Sequence, residues 1–304
     1  MEAPTAAGYV RITPGGTDAT VAAQVFTARQ TISNLVMAKV AKKAVQAKVS
    51  AGSATLYLDV SGYFLSGASG SGIGNDVSWP QCGSALPTNQ AFGVVGVNDG
   101  LANNTNPCLA TQLAWAKGSA GGTGQPTTAL YVLGANPGTA SSLWPKSNVY
   151  PAGTTVKNPY GTCTATTPTS NACAYMYGYS RAYDDVTSRG VPTTTTYRWW
   201  LDVETGSTWS KTKASNIADL EGMTASFTRA GASVGLYSQT SDWSTIAGTV
   251  PTTSSLNTLP NWIPIGTSTL AAAQAACSGK PLQHGKITMT QYVSGRFDYD
   301  NSCI

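Results

Sequence analysis

Histidine is almost absent from this chain, since His284 is the only one among 304 residues. Ser-His-Asp and Cys-His mechanisms are therefore disfavoured, because each needs a histidine placed beside its nucleophile. There is also no C-x-x-C motif, and with one histidine a zinc site is disfavoured too. We expect neither a metal nor another cofactor, and we expect His284 to lie in a surface loop.

Charged residues and long apolar runs are also scarce. Only 11% of the residues are charged, and a net charge of +4 is too small and too scattered to indicate nucleic-acid binding. No apolar run approaches the roughly 20 residues that cross a bilayer. The neutral, polar composition is typical of a stable exported protein. We expect a monomer without a membrane span, whose slight basicity favours an anionic surface such as a bacterial cell wall.

The six cysteines fall into three neighbouring pairs along the chain. Many connectivities are open to six cysteines, so the pairing of neighbours is a hypothesis. Disulfides are typical of secreted proteins, whereas the N-terminus has neither the basic nor the apolar segment of a signal peptide. We therefore expect a secreted or cell-wall-associated protein whose signal peptide is absent from this sequence. The expected bridges are Cys82–Cys108, Cys163–Cys173 and Cys277–Cys303.

Residues 1–66 contain no cysteine and no tryptophan, whereas both occur after this point. Short alternating segments separated by turn residues predict a small antiparallel β-sandwich, an accessory domain. Its last run, D-V-S-G-Y-F at 59–64, resembles the end of a small β-domain common in secreted actinobacterial enzymes. Such a domain is either a spacer or a carbohydrate-binding module. Residues 67–72 are rich in Gly and Ser and predict a flexible linker.

From residue 73 to residue 304 the pattern changes to strands that alternate with helices. In the helix predicted at 215–230, for example, apolar residues recur at helical spacing. Repeated strand–helix units predict a parallel sheet, and a stretch of about 230 residues suits a (β/α) barrel of the TIM type. In such a barrel the chemistry lies at the C-terminal ends of the strands.

Two acids stand close together at the end of the strand predicted at 196–203, in a chain with only 14 acids. Side chains alternate across a strand, so Asp202 and Glu204 point the same way, with Cα atoms roughly 6.5 Å apart. A pair of carboxyl groups flanking a bond is what glycoside hydrolysis needs, one to donate a proton and one to stabilise or attack the sugar cation. The alternative is a strand end with two solvated acids.

Further polar and aromatic residues lie at predicted strand ends. Asp76 is near the end of the first barrel strand, and Asp298 and Asp300 follow the last predicted strand, 287–292. All three would converge with Asp202 and Glu204 on one barrel mouth. For the aromatic candidates, core packing is the alternative to sugar binding. The candidate substrate-binding residues are Asp300, Asn98, Asp99, Asn136, Tyr237, Gln239, Trp262, Gln291 and Tyr292.

Several short motifs occur in a fixed order: D-V-S-W-P-Q-C at 76–82, D-x-E at 202–204, G-L-Y-S at 235–238, P-N-W at 260–262 and Q-Y at 291–292 followed by Asp298. Together they resemble the family 25 glycoside hydrolases, muramidases that cut the glycan strands of peptidoglycan, and the opening motif is typical of actinobacterial relatives. The resemblance covers residues 73–304. It implies that Glu204 is the general acid and that Asp202 steadies the transition state or the acetamido group of the substrate. It also implies that Asp76 and Asp298 are outer acids.

The sequence departs from that family in three places. Residues 144–174 form an insertion that contains proline and cysteine. Asp298 and Asp300 compete for the role of the second outer acid. Residues 264–266 read P-I-G where the family has A-x-Y. We expect these changes to surround the cleft and to affect the choice of substrate.

The leading prediction is a secreted glycoside hydrolase that cleaves a β-linked glycan containing N-acetyl sugars, with peptidoglycan as the expected substrate. One alternative is hydrolysis of another cell-envelope polysaccharide by the same residues. Another is a non-catalytic cell-wall or carbohydrate-binding protein that retains the barrel, because a fold alone does not imply activity. A chitinase of family 18 is disfavoured, since Tyr197 and Trp200 occupy positions where that family needs further acids.

Overall fold

The structure, a computed structural model, describes residues 4–14, 23–36, 44–57, 72–192 and 197–304. The chain divides into two compact units, Met1–Phe64 and Leu65–Ile304. The D-V-S-G-Y-F segment and residues 67–71 of the predicted linker lie outside the described residues. The boundaries at residues 66 and 72 therefore stay predictions.

The first unit is a small β-domain in its described part. Its strands are β1 (Gly8–Pro14), β2 (Gln24–Phe26) and β3 (Val45–Val49). They form one antiparallel sheet in the order β2-β1-β3, which agrees with the predicted all-β character. Val10 and Phe26 are buried, whereas the side chains of β3 are mostly exposed.

The described part of the second unit contains eight strands: β4 (Ile73–Val77), β5 (Gly93–Gly96), β6 (Thr128–Leu133), β7 (Arg198–Asp202), β8 (Ser233–Tyr237), β9 (Asn261–Thr267), β10 (Ile287–Ser294) and β11 (Phe297–Ser302). They close into a barrel in the order β10-β11-β4-β5-β6-β7-β8-β9, which confirms the predicted fold class. Strands β4 to β10 are parallel where they pair with one another, whereas β11 runs antiparallel to both of its neighbours.

Five described α-helices connect the parallel strands: α1 (Leu109–Lys117), α2 (Asn171–Ser188), α3 (Lys213–Arg229), α4 (Thr240–Ile246) and α5 (Leu270–Ala276). One helix lies in each connection from β5 to β10. Helix α4 spans only seven residues, too few for helical periodicity to reveal it in the sequence.

Strand β11 corrects one sequence-based expectation. Asp298 and Asp300 were expected beyond the last strand, but both lie within β11. A hairpin through Gly295, whose φ of +66° suits glycine, folds β11 back along β10. Inward-facing polar residues hide such a strand from a search for hydrophobic alternation. Because β11 also pairs with β4, Asp298 lies directly opposite Asp76.

The barrel interior below the mouth is filled by large apolar side chains. Trp200, Trp262 and Met289 pack there with Phe92, and each is almost completely buried. The rings of Trp200 and Trp262 meet edge to face, with centroids 5.7 Å apart. On β8, a Cβ atom at Gly235 would lie 2.3 Å from the Trp200 ring. Close-packed aromatic side chains therefore fill the barrel directly below its mouth.

Outside the barrel, α2 and α3 cross with their backbones in contact. A Cβ atom at Gly178 would lie 2.0 Å from the carbonyl oxygen of Asp219, and one at Gly222 would lie 2.0 Å from that of Tyr175. Only glycine permits this approach at both positions.

The three disulfides pair as predicted: Cys82–Cys108, Cys163–Cys173 and Cys277–Cys303. The last bridge joins the end of α5 to the segment after β11. His284 is exposed in a loop, as expected, with its Nδ1 atom 2.8 Å from Oδ1 of Asn257. No helix in the described part of the chain is long and apolar enough to cross a membrane.

Candidate active site

The D-x-E pair stands where β7 leaves the barrel. Asp202 is the last residue of β7 and is buried, while Glu204, two residues later, is half-buried. Both side chains line the same opening at the C-terminal ends of the strands. The shared direction follows from the alternation of side chains along an extended chain.

The backbone around this pair is held by hydrogen bonds from three sides. Gly134 N donates to Asp202 O at 2.8 Å, and Ser238 Oγ donates to Val203 O at 2.6 Å. The indole Nε1 of Trp209 donates to Glu204 O at 2.8 Å. Glu204 thus lies just beyond a regular strand, in a segment whose backbone is held by hydrogen bonds. Fixed backbone on both sides is what precise placement of a catalytic carboxyl requires.

The opening is a cleft with two arms that share the wall formed by Tyr131, Asp202 and Glu204. The first arm has a volume of about 250 Å³ and the second about 300 Å³. The first arm is further lined by Ser78, Trp79, Asn98, Gly100, Leu133, Gly206 and Ser207. The second arm is further lined by Asp76, Tyr237, Gln239, Trp262, Pro264, Gly266, Gln291, Val293 and Asp298.

The second arm contains a relay of hydrogen bonds across the barrel. The Tyr237 hydroxyl donates to Gln291 Oε1 at 2.8 Å, and Gln291 Nε2 donates to Asp76 Oδ2 at 2.8 Å. Tyr237 also packs on Trp262, with ring centroids 4.4 Å apart. The relay fixes the Asp76 carboxyl group at the base of this arm.

Four carboxyl groups line the second arm, and their proximity changes their acidity. Burial and the charge of Asp298 raise the pKa of Asp76 to about 8. Burial, followed by the charges of Glu204 and Asp76, raises the pKa of Asp202 well above its usual range. The pKa values of Glu204 and Asp298 are also raised, chiefly by burial. Like charges in a desolvated site oppose one another's ionisation, so Asp76 retains its proton near neutral pH.

Asp300 lies fully buried on the inward face of β11, two residues beyond Asp298. Burial and the charges of Asp76 and Asp298 raise the pKa of Asp300 well above its usual range. Asp298 lines the cleft and Asp300 does not. Of the two competing acids, Asp298 is therefore the one placed to meet a ligand.

The sequence model of the lysozyme-like protein 1 family matches residues 164–275. The matched segment is less than half of the chain and contains Asp202 and Glu204, but neither Asp76 nor Asp298. No curated protein matches the chain.

Several solved structures are similar to the barrel. The muramidase from Trichobolus zukalii shares 16% identity over 76% of this chain and 92% of that chain, with a TM-score of 0.47. The bacterial lysozyme from Streptomyces coelicolor shares 17% identity over 76% and 91%, with a TM-score of 0.48. A family GH25 lysozyme from Aspergillus fumigatus shares 11% identity over 75% and 91%, with a TM-score of 0.49. At such identities these likenesses concern the fold alone.

The closed barrel brings together most of the residues singled out from the sequence. Asp76, Asp202, Glu204 and Asp298 meet at one mouth, together with Tyr237, Gln239, Trp262 and Gln291. Asn98 lines the first arm, but its amide is occupied within the protein. Its Nδ2 donates to Asp185 Oδ1 and its Oδ1 accepts from Leu133 N. Asn98 therefore shapes the arm more than it offers free hydrogen-bonding groups.

Three candidates lie away from the cleft lining. Asn136 is buried and donates from Nδ2 to Ser215 Oγ of α3 at 3.0 Å. Tyr292 follows the inward-facing Gln291, so alternation turns it outward, where it stacks on Tyr299 with centroids 5.3 Å apart. Asp99 lies in the loop after β5, partly exposed, and lines neither arm. For these residues, nearness to a strand end did not decide the direction of the side chain.

The insertion at 144–174 was expected to surround the cleft, but none of its residues lines either arm. It packs on the outer helices instead. Trp144 stacks on Tyr177 of α2 with centroids 5.0 Å apart, and the Tyr160 hydroxyl donates to Glu221 of α3 at 2.8 Å. The insertion therefore covers the helices rather than the site.

Other residues of the site escaped the sequence analysis. Tyr131 stands in the wall shared by both arms. The available sequence signal was its position two residues before Leu133 on β6, since residues two apart face the same side of a strand. Asp242, in the first turn of α4, accepts a hydrogen bond from Thr205 N at 3.1 Å and contributes to the raised pKa of Glu204. Helix α4 has no clear sequence signal, so the sequence did not indicate that Asp242 lies beside Glu204.

Among the described residues, no group of three or more His, Cys, Asp and Glu side chains is arranged to hold a metal ion. In the same part of the chain, neither arm is lined by lysine, arginine or histidine. The cleft is thus acidic, rich in hydroxyl and amide groups, and floored by aromatic rings. Such a lining suits an uncharged polar ligand that develops positive charge.

Proposed function

We propose that this protein is a glycoside hydrolase that cleaves a β-linked glycan containing N-acetyl sugars, and that its substrate is peptidoglycan. The observation that carries the proposal is the placement of Asp202 and Glu204 side by side in the wall shared by the two arms. In a glycan bound along both arms, the glycosidic bond to be cleaved would lie next to this pair. The match of residues 164–275 to the lysozyme-like family supports a cell-wall glycan.

Glu204 is the proton donor to the leaving oxygen. It is the more exposed member of the pair, which lets it reach a bond in the cleft, and burial raises its pKa. A raised pKa favours the protonated form of the carboxyl group, whose proton passes to the leaving oxygen as the bond breaks. This is the role that one acid of the pair must fill in glycoside hydrolysis.

Asp202, with Asp76 and Asp298, stabilises the positive charge that develops on the sugar. In the free protein burial raises the pKa of each of these acids, and the charges of neighbouring acids add to the shift for Asp76 and Asp202. A cation that develops on the sugar stabilises an ionised carboxylate beside it and offsets the cost of burying that charge. The interaction is therefore stronger in the transition state than in the ground state, which is the requirement for catalysis.

We also propose that the protein acts outside the cytoplasm as a monomer, and that the first unit increases its retention on insoluble walls. The three disulfides support an oxidising compartment. A chain that begins at Gly72 should then hydrolyse soluble glycan at the full-length rate but bind wall fragments less well in sedimentation assays. Equal sedimentation of the two chains would remove the targeting role.

The test of the catalytic proposal is dye release from labelled cell walls by wild type, Glu204→Gln and Glu221→Gln. Glu221 is a matched control because its carboxylate lies on α3, outside the cleft, and accepts hydrogen bonds from Tyr160 and Ser254. We expect release by wild type and Glu221→Gln and none by Glu204→Gln. Equal release by Glu204→Gln would contradict the assignment.

Two other outcomes identify the alternatives. Binding of walls without any release by wild type would indicate a non-catalytic carbohydrate-binding protein. Release from another polysaccharide in a glycan panel read by mass spectrometry, with peptidoglycan intact, would indicate a hydrolase of a different cell-envelope polymer.

A further inference from the structure

One tryptophan differs from the other seven in its surroundings. Trp79 is 44% exposed, while every other tryptophan is buried or only partly exposed. Its ring lies in the wall of the first arm, and a Cβ atom at Gly100 would be 3.7 Å from the indole. An exposed indole on the wall of a cleft offers a flat apolar surface to a ligand.

The turn that presents Trp79 is held by several interactions. Trp79 begins a short 3₁₀ turn, Trp79–Gln81, in which Gln81 Oε1 accepts from Ser78 N at 2.8 Å. The disulfide Cys82–Cys108 follows directly. These interactions hold the backbone that presents the exposed indole at the cleft.

A buried pair of amides supports the same turn from below. Gln112 Nε2 donates to Ser78 O at 2.7 Å, and Asn106 Nδ2 donates to Gln112 Oε1 at 2.7 Å. Both amide side chains are only 1% exposed. The backbone of the turn that carries Trp79 is therefore held beside the wall that contains Glu204.

Charge distinguishes the two arms. Asp76 and Asp298 line the second arm only, whereas the described lining of the first arm has no acid beyond the shared Asp202 and Glu204. The sugar that becomes cationic belongs in the arm with more carboxyl groups. The first arm is then the place of the sugar that departs with the proton from Glu204.

We propose that Trp79 is a specificity-determining residue, a stacking platform for the sugar on the leaving-group side of the scissile bond. This inference rests on the proposed glycosidase function. Its consequence is that Trp79 favours polymeric glycans, in which the leaving group is itself a sugar, over substrates with a small leaving group.

The test compares wild type, Trp79→Ala, Trp79→Tyr and Leu101→Ala on two substrates with the same glycone. One substrate is a soluble peptidoglycan oligosaccharide, and the other is a glycosyl fluoride, whose leaving group is too small to reach Trp79. Leu101 is a matched control because it is 60% exposed near the turn but does not line the arm. Thermal melts establish that all variants are folded.

On the oligosaccharide we expect Trp79→Ala to lower kcat/KM about tenfold, and Trp79→Tyr to retain most of it, because tyrosine also stacks. On the fluoride, all variants should agree within about twofold. An equal loss on both substrates, or no loss on either, would overturn the inference while leaving the glycosidase function intact.

Binding separates this inference from the proposed function. Calorimetric titration of the oligosaccharide into Glu204→Gln, with and without Trp79→Ala, measures the contribution of Trp79 to binding without any turnover. A Kd about tenfold weaker in the double variant supports the platform even if wild type proves inactive. An unchanged Kd, or no binding by either protein, overturns it.

Discussion

Gln291 donates a hydrogen bond from Nε2 to Oδ2 of Asp76 at 2.8 Å, across 215 positions of sequence. The bond links β10 to β4 across the intervening strand β11 and lies on the floor of the second arm. It favours the ionised form of Asp76, against burial and the charge of Asp298. One amide thus counteracts part of the repulsion among the acids of the cleft.

Replacing Gln291 with leucine should raise the pKa of Asp76 further, because the bond that stabilises its carboxylate is lost. We expect the ¹³C titration of the Asp76 carboxyl group to shift to higher pH, and kcat/KM on cell-wall glycan to fall about tenfold. Gln239→Leu, at the exposed rim of the same arm, is the control and should leave the Asp76 titration in place. A Gln291→Leu titration identical to that of wild type would disprove the role of the relay.

The stability of the barrel should fall as the pH rises from about 4 to about 8. An unfolded Asp loses its proton near pH 4, whereas folded Asp76 keeps it until about pH 8, so over this range the folded state binds more protons. By linkage, the stabilisation is complete below the unfolded pKa and is lost as the pH rises through the folded pKa. We expect the wild-type Tm to drop by roughly 5–10 °C between pH 5 and pH 8.

Asp76→Asn should reduce that drop, because the amide does not titrate, and Asp99→Asn should keep the wild-type slope. Melts recorded by circular dichroism at several pH values measure both. A Tm that rises from pH 5 to pH 8 in wild type would show that the acids of the cleft are ionised at little cost.

Gly222→Ala should be strongly destabilising, by about 3 kcal/mol, because the new Cβ atom would lie 2.0 Å from the Tyr175 carbonyl oxygen. Backbone atoms cannot move aside as a flexible side chain would, so α2 and α3 must separate. Gly206→Ala is the control, since a Cβ atom there would meet nothing within 4 Å, and it should change stability by less than about 0.5 kcal/mol. Urea unfolding of both variants measures the difference, and similar values would mean that the helix pair tolerates expansion.

Removing the Cys163–Cys173 bridge by a double alanine substitution should cost about 3 kcal/mol of stability, mainly through the freedom regained by the unfolded chain. Activity at 25 °C should be unchanged, because neither residue lines the cleft. Removing Cys82–Cys108 should cost a similar amount of stability and also lower kcat/KM on oligosaccharides, because that bridge adjoins the turn of Trp79. Equal activities of the two double variants would show that the turn is held without its disulfide.

The closed barrel and the shared direction of Asp202 and Glu204 could be predicted because their signals are local. Strands alternating with helices define the fold class, and the two-residue period of an extended chain places Asp202 and Glu204 on one side. Disulfides between sequence neighbours were predictable for the same reason. The strand β11 was not, because its inward residues Asp298 and Asp300 are polar and lack the apolar alternation of a strand.

The sequence by itself determined which functional groups the chain offers: a few acids at strand ends, no pair of histidines, and a composition suited to an exported protein. Only the tertiary structure decided which of these groups meet. Closure of the barrel through β11 brings Asp298 opposite Asp76, whereas packing turns Asn136 toward α3 and Tyr292 toward Tyr299. The physical reason is that alternation sets the relative directions of neighbouring side chains, while the face that becomes the cleft depends on strand pairing between residues far apart in sequence.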